Sequence, residues 1–266
     1  MAGEPFFQVM DLDGRPLRIE SQWLGDAQDA GRPLLVFLHE GLGSLSQWRD
    51  FPARLCEAVD LPGLVFSRPG YGRSSPRTEP WPQDYLQRQS RSLLPAYFKA
   101  LGLGERPLLL FGHSDGASLA LLYAAHAPHH VRGLVAMAPH LFVEPITLLG
   151  LEAARAAYEH GDSLRKALAR HHADPDSAFY GWNDTWLRPG YEEWTIVDEL
   201  SGRLACPVLA VQGVNDEYGS LAQIEAVAEL HEDTRLLALP DCGHSPHKDH
   251  PERLIAQVQD WLASRF

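Results

Sequence analysis

Ser114 sits in the run Gly112-His113-Ser114-Asp115-Gly116, between an apolar stretch at 108–111 and an Ala/Leu-rich stretch that begins at 115. A serine hydroxyl attacks a carbonyl only when a base takes its proton, and that base must be held by an acid. Glycine on both sides lets a strand and a helix meet in a tight turn. Such a turn lifts the hydroxyl clear and aims the helix N-terminus at it. The partners follow in chain order. Asp216 closes Gly213-Val214-Asn215-Asp216 after the apolar run 208–211. His244 lies in Pro240-Asp241-Cys242-Gly243-His244-Ser245-Pro246 after the run 236–239. Asp241 is the other candidate acid, but it stands close before His244 and lacks the strand-end context of Asp216.

Attack on a carbonyl leaves negative charge on its oxygen, and backbone N–H groups must be waiting for it. The loop His39-Glu40-Gly41-Leu42-Gly43-Ser44, directly after the run 34–38, is expected to supply one donor from Gly41. The second is expected from Asp115, the residue after the nucleophile.

These pieces need a scaffold that brings several strand ends together. The runs at 34–38, 64–66, 108–111, 133–137, 208–211 and 236–239 are continuously apolar, the mark of strands buried on both faces. Helical spacing occupies 47–59, 83–102, 115–127, about 220–231 and about 251–264. Residues 5–10 and 16–24 read as an edge hairpin around Asp11-Leu12-Asp13-Gly14. The alternation predicts an α/β fold with a mostly parallel sheet flanked by helices. Between Pro139 and Leu204 the strand signal stops. Helical stretches at 151–160 and 163–172 and the aromatics Phe179, Tyr180, Trp182, Trp186, Tyr191 and Trp194 take its place. The expected division is a core of 1–141 and 201–266 with a helical insertion at 142–200, after the sixth strand.

Composition sets the class. With 266 residues, 45% hydrophobic and 22% charged, the chain can bury a large core without a disulfide or metal. A net charge of −12 and the lack of any Lys/Arg run argue against a nucleic-acid partner. Cys56, Cys206 and Cys242 are too few and too scattered for a disulfide framework. The N-terminus lacks a signal-peptide pattern and no run reaches the length of a membrane span, so a cytoplasmic protein without a membrane partner is expected. Homo-oligomerisation is not readable from the sequence.

His244, His247 and His250, with Cys242 near, invite a metal reading. Pro246 and Pro251 break the helix that would gather them, so no metal is expected there, and His247 and His250 are expected at the surface. His171 and His172 are expected to close one helix, with Asp174-Pro175 starting a turn. The Asp115 carboxylate is accounted for by the helix dipole and is expected to play a supporting role.

With HEGLGS at 39–44, SRPGYGRSS at 67–75, GHSDGAS at 112–118, GVNDEYG at 213–219 and DCGHSPHKDHPE at 241–252, the chain resembles the α/β-hydrolases. That large family includes esterases, lactonases, C–C bond hydrolases and haloalkane dehalogenases. The resemblance covers almost everything outside 142–200. It implies the α/β-hydrolase fold, a catalytic Ser114–Asp216–His244 triad, no cofactor, and a lid at 142–200 that selects a small-molecule substrate. Glu40, His140, Trp182 and Trp186 are the candidate substrate contacts. Two positions depart from the family pattern. Glu40 replaces a usual glycine, either to orient its loop or to meet a cationic substrate group. Ser67 stands where many relatives carry Asp, which touches loop scaffolding. The dehalogenase branch requires Asp at position 114. The expected activity is hydrolysis of a small or medium-sized carboxylic ester or lactone. C–C cleavage of a dioxo acid and a ligand receptor retaining the triad are the alternatives.

Overall fold

The chain opens with a hairpin. Strand β1 (Phe6–Leu12) pairs antiparallel with β2 (Arg15–Leu24). Both turn residues, Asp13 and Gly14, have positive φ, the geometry whose twist matches a two-residue hairpin. The remaining strands are β3 (Leu34–Leu38), β4 (Gly63–Phe66), β5 (Leu108–His113), β6 (Val131–Met137), β7 (Val208–Gly213) and β8 (Thr234–Leu239). They form one eight-stranded sheet in the order β1-β2-β4-β3-β5-β6-β7-β8, parallel from β4 through β8. The computed structural model describes residues 2–27, 31–127 and 129–265.

The continuous apolar runs have a direct structural cause. Along β3, Leu34, Val36 and Leu38 pack into the core on one face, while Leu35 and Phe37 pack into the core on the other. β5 divides in the same way, with Leu108 and Leu110 opposite Leu109 and Phe111. A two-residue period with both faces covered leaves no polar position.

The helices that supply the cover are α1 (Phe51–Ala58), α2 (Tyr85–Arg88), α3 (Leu94–Ala100) and α4 (Asp115–His126). Then come α5 (Pro145–His160), α6 (Asp162–Leu168), α7 (Pro175–Trp186) and α8 (Val197–Leu200). The last are α9 (Ala222–Leu230), α10 (Pro246–Asp249) and α11 (Pro251–Ala263). Helix α4 is buried from Asp115 to Ala125, which explains its Ala/Leu composition and fixes the residue before it, Ser114. Helix α11 buries Leu254, Val258, Trp261 and Leu262, one stripe at helical spacing.

The helix expected at 83–102 is interrupted. Residues Gln89–Leu93 form a π turn between α2 and α3. Pro95 has no N–H to continue the ladder and its ring crowds the preceding turn, so the backbone widens there. Helices α5 to α8 all lie between β6 and β7, the stretch where the sequence loses its strand signal. A bridge between Phe142 and Thr195 joins the two ends of that stretch. Among the described residues, no helix is long and apolar enough to cross a membrane.

Candidate active site

Ser114 occupies the turn from β5 into α4 with φ 54° and ψ −121°, a conformation a non-glycine residue adopts only under constraint. The flanking glycines are required sterically. A Cβ on Gly112 would collide with the Gly116 carbonyl oxygen, and one on Gly116 with the Leu38 carbonyl oxygen. The turn is therefore locked between two strands and a helix.

Asp216 and His244 lie beyond the C-terminal ends of β7 and β8. His244 Nδ1 is 2.8 Å from Asp216 Oδ2 and 2.9 Å from Oδ1. Gln212 Nε2 donates to Asp216 Oδ2 at 2.7 Å, and the Tyr218 N–H donates to Oδ1 at 2.8 Å. Burial works against the Asp216 charge, but the hydrogen bond and charge of His244 and the Tyr218 N–H hold its carboxyl below the usual range. For His244 burial also opposes charge. The hydrogen bond and charge of Asp216, aided by Glu40 and Glu217, raise its pKa above the ordinary imidazole value. Asp241, the competing acid, lies in an exposed turn with φ 54°.

Ser114 and His244 line one cavity of about 60 Å³, together with Glu40, Gly41, Leu42, Asp115, His140, Thr147, Leu151, Trp182, Trp186 and Tyr218. The structure thus brings every candidate residue to a single place, Asp216 through its bond to His244. Trp182 covers the Gly41 loop so closely that a Cβ on Gly41 would strike the indole. The aromatics of 142–200 divide their labour. Trp182 and Trp186 face the cavity, whereas Tyr191 and Trp194 stack at 5.7 Å and Phe179 stacks on Tyr158 at 3.8 Å.

Glu40 is the unusual wall. Its Oε1 lies 3.4 Å from Lys248 Nζ, and its Oε2 lies 3.9 Å from His113 Nδ1. Burial disfavours its charge, but Lys248 and the His113, His244 and His247 rings hold its carboxyl well below the usual range. Burial presses His113 down to about 4 and His140 to about 3, so both are neutral at neutral pH.

A family model described as the alpha/beta hydrolase family matches residues 35–257. The chain belongs to the alpha/beta hydrolase family. Serine hydrolase BPHL of Mus musculus is 25% identical over 206 residues, or 73% of this chain and 66% of that relative. The chain therefore spans just under two thirds of that relative's length. The sn-1-specific diacylglycerol lipase ABHD11 of the same species is 24% identical over 95% of this chain and 88% of its own. Among solved structures, VinJ superposes with a TM-score of 0.76 at 22% identity, over 99% of this chain and 100% of its own. The 2-hydroxy-6-oxo-6-phenylhexa-2,4-dienoate hydrolase of Rhodococcus sp. strain RHA1 gives 0.75 at 15% identity, over 97% and 98%. At such identities the superpositions establish the shared fold.

Within this alpha/beta hydrolase, several residues around the site escaped the sequence reading. Arg68, fully buried, donates to the carbonyl oxygens of Glu40 at 3.0 Å and His39 at 3.3 Å, and to Asp115 Oδ2 at 3.4 Å. Tyr85 donates to the same Asp115 oxygen at 2.6 Å and accepts from Trp186 Nε1 at 3.0 Å. The Asp115 side chain thus anchors a buried network and does more than answer the helix dipole. Burial raises its pKa, against the opposing pull of Arg68 and Tyr85. The available signal was Arg68 itself, a charge placed directly after a buried strand.

Three expectations need correction or refinement. His247 is buried, not on the surface: its ring packs 4.9 Å from Trp48 and 5.6 Å from Phe51, because α10 is a separate short turn folded inward ahead of α11. His250 instead faces the Asp241 carbonyl oxygen at 3.0 Å. His172 does more than end a helix. Its Nδ1 accepts from the Gly72 N–H at 3.0 Å and its Nε2 donates to the Leu42 carbonyl at 2.9 Å, tying 142–200 to two core loops. Asp174-Pro175 opens helix α7 where a turn was expected, Asp174 capping it by accepting from the Ser177 N–H at 2.9 Å. Ser67 donates to Glu20 Oε2 at 2.8 Å and accepts from the Leu45 N–H at 2.9 Å, so a carboxylate from β2 scaffolds this loop.

Proposed function

We propose that this chain is a serine hydrolase that cleaves a small or medium-sized carboxylic ester or lactone through an acyl-enzyme on Ser114. The observation that carries this reading is the His244–Asp216 hydrogen bond in the wall of the cavity onto which the Ser114 turn opens. Asp216 holds the His244 Nδ1–H, which leaves Nε2 to accept the serine proton as the hydroxyl attacks the substrate carbonyl. The oxyanion is received by the N–H groups of Gly41 and Asp115. His244 then protonates the leaving alkoxide and activates the water that releases the acid.

A cavity of about 60 Å³ walled by Leu42, Leu151, Trp182 and Trp186 suits a short apolar acyl group. Residues 142–200 act as the lid that shapes it, with Trp182 and Trp186 as its contacts to substrate and His140 and Glu40 as the polar wall.

The test is titration with a fluorophosphonate probe of the wild type, Ser114→Ala and His244→Ala. Stoichiometric labelling of Ser114 that disappears in both variants is the expected result. Labelling that survives Ser114→Ala overturns the assignment. A substrate screen then decides the reaction: faster turnover of a dioxo acid than of any ester or lactone replaces acyl transfer by C–C cleavage. Labelling without turnover of any of them favours a ligand receptor.

A further inference from the structure

Glu40, His113 and His244 each offer a ligand atom to a common point, and these atoms lie within 4.8 Å of one another. Their hydrogen bonds decide which atoms are free. His113 Nε2 is 2.6 Å from the His244 carbonyl oxygen, which can only accept, so Nε2 carries the proton. His113 Nδ1 is therefore a bare lone pair, and it faces Glu40 Oε2 at 3.9 Å. His244 Nδ1–H donates to the Asp216 carboxylate, so in the neutral ring Nε2 is bare as well. While His244 is neutral, two imidazole lone pairs and a carboxylate thus converge, and the carboxylate's other partner is Lys248 Nζ at 3.4 Å. Acceptors facing acceptors repel unless a cation stands between them.

We propose that Glu40, His113 and His244 form a binding site for a zinc-class divalent cation, and that the bound cation reversibly inhibits the enzyme. Two imidazoles and a carboxylate are a donor set zinc accepts, with a water completing four-coordination. Ligand atoms around tetrahedral zinc are about 3.3 Å apart, so a set spread within 4.8 Å must close by up to about 1.5 Å. Glu40 supplies the part of that movement that brings its carboxylate to the rings, 3.9 Å from His113 Nδ1 at present. Its side chain is 20% exposed, and its other partner, Lys248, is 38% exposed and free to turn into solvent. The two histidines are held by their second nitrogens, as metal-binding histidines are. A cation on His244 Nε2 occupies the lone pair that must take the Ser114 proton, so metal binding and acyl transfer exclude each other. The inhibitory half of the proposal rests on the hydrolase reading; the binding half does not.

The experiment separates the two. Zinc is titrated against a chromogenic zinc indicator in competition with wild type, Ser114→Ala, Glu40→Gln and His113→Gln, each checked for folding by thermal melting. The expected result is one equivalent bound by wild type and by Ser114→Ala, weakened by about tenfold or more in Glu40→Gln and His113→Gln. No competition by wild type, or binding undiminished in the Glu40 variant, overturns the site. Should His113→Gln fail to fold, Glu40→Gln carries the test alone. In parallel, fluorophosphonate labelling of wild type is followed with zinc and after EDTA. Labelling that slows with occupancy and recovers on chelation is expected; labelling unaffected by bound zinc overturns the inhibition. If wild type never labels, the hydrolase reading has failed and the indicator assay still decides the site.

Discussion

Arg68 Nη2 lies 3.0 Å from the Glu40 carbonyl oxygen, and His39 Nδ1 approaches the same oxygen at 2.7 Å. The Arg68 N–H occupies His39 Nε2 at 2.9 Å, so His39 Nδ1 is the donating nitrogen. The peptide between Glu40 and Gly41 is planar and trans, and its C=O and N–H point in opposite directions. Pinning the Glu40 carbonyl therefore aims the Gly41 N–H. The same guanidinium holds the Asp115 side chain, whose own N–H is the second proposed oxyanion donor. One buried cation thus contacts both segments that carry the proposed donors.

Arg68→Lys keeps the charge but loses the planar guanidinium whose Nη2 reaches Glu40 and Asp115 while Nη1 is held by Gln89. The expected outcome is a fall in kcat of about 10- to 100-fold with KM little changed, because misaligned donors weaken the transition state more than the ground state. Arg68→Met leaves the buried Asp115 carboxylate without its ion pair and is expected to cost about 3–5 kcal/mol of stability. Steady-state kinetics on the lysine variant and denaturant unfolding of both check this. A lysine variant that loses only KM removes Arg68 from a positioning role.

The pH profile follows from His244. Its imidazole must be neutral to accept the Ser114 proton, and its pKa is raised, chiefly by Asp216 acting against burial, with Glu40 contributing. Activity should therefore rise with pH along a limb centred above the ordinary imidazole value. Replacing Glu40 with Gln removes a negative charge that stabilises the imidazolium, so the limb should move to lower pH. The measurement is kcat/KM against pH for both proteins. An unmoved or upward-moving limb contradicts the electrostatic coupling.

Much of this site was legible in the sequence because each triad candidate lies in the turn or loop after a strand, Ser114 directly after β5, Asp216 three residues after β7 and His244 five residues after β8. A buried parallel strand writes itself as a continuous apolar run, and the first polar residues after it lie at the sheet's C-terminal edge, where open α/β sheets gather their ligands. Ser114 and Asp216 follow strands of that kind, whereas β8 before His244 is an edge strand that leaves Leu236 exposed, against the expectation of burial on both faces. Arg68 follows β4 just as directly, but no local pattern says that a charge there will be buried. Its partners Glu40 and Asp115 are 28 and 47 residues away. The burial of His247 was hidden for the same reason. Its neighbours Trp48 and Phe51 come from the far side of the chain, and Pro246 marks a turn without saying which way it folds. The π turn before Pro95 is likewise a backbone response that apolar spacing does not record.

Gly41 and Trp182 should be coupled. A Cβ at position 41 would strike the Trp182 indole, so Gly41→Ala must displace α7 or the loop 39–44. Gly41→Ala alone should lower kcat/KM by about 100-fold, and adding Trp182→Ala should restore part of it. The double-mutant cycle should give a coupling of about 1–3 kcal/mol. Strict additivity would mean that the indole does not constrain the loop.

Acyl-chain preference should follow the same wall. Trp182 and Leu151 bound a cavity of about 60 Å³, which would limit an acyl group bound there, as proposed, to a short one. Trp182→Ala is expected to shift the optimum of a p-nitrophenyl ester series toward longer chains and to lower kcat/KM for the shortest. The cost per methylene lost from contact is about 1–3 kcal/mol. An unchanged chain-length profile places the acyl group elsewhere.

Finally, the Ser114 turn stores strain. Ser114 holds φ 54° and ψ −121° because Gly112 and Gly116 pack against backbone on both sides and leave the chain no other path. A non-glycine residue held there costs about 1–3 kcal/mol, a penalty glycine largely escapes. Ser114→Gly should therefore abolish turnover while raising stability. Ser114→Ala, which keeps a Cβ, should abolish turnover without that gain. Comparing the unfolding free energies of the two variants isolates the backbone contribution, since both lose the same hydroxyl. A glycine variant no more stable than the alanine variant would mean that the turn is relaxed and that Ser114 is held in place by its neighbours at no cost.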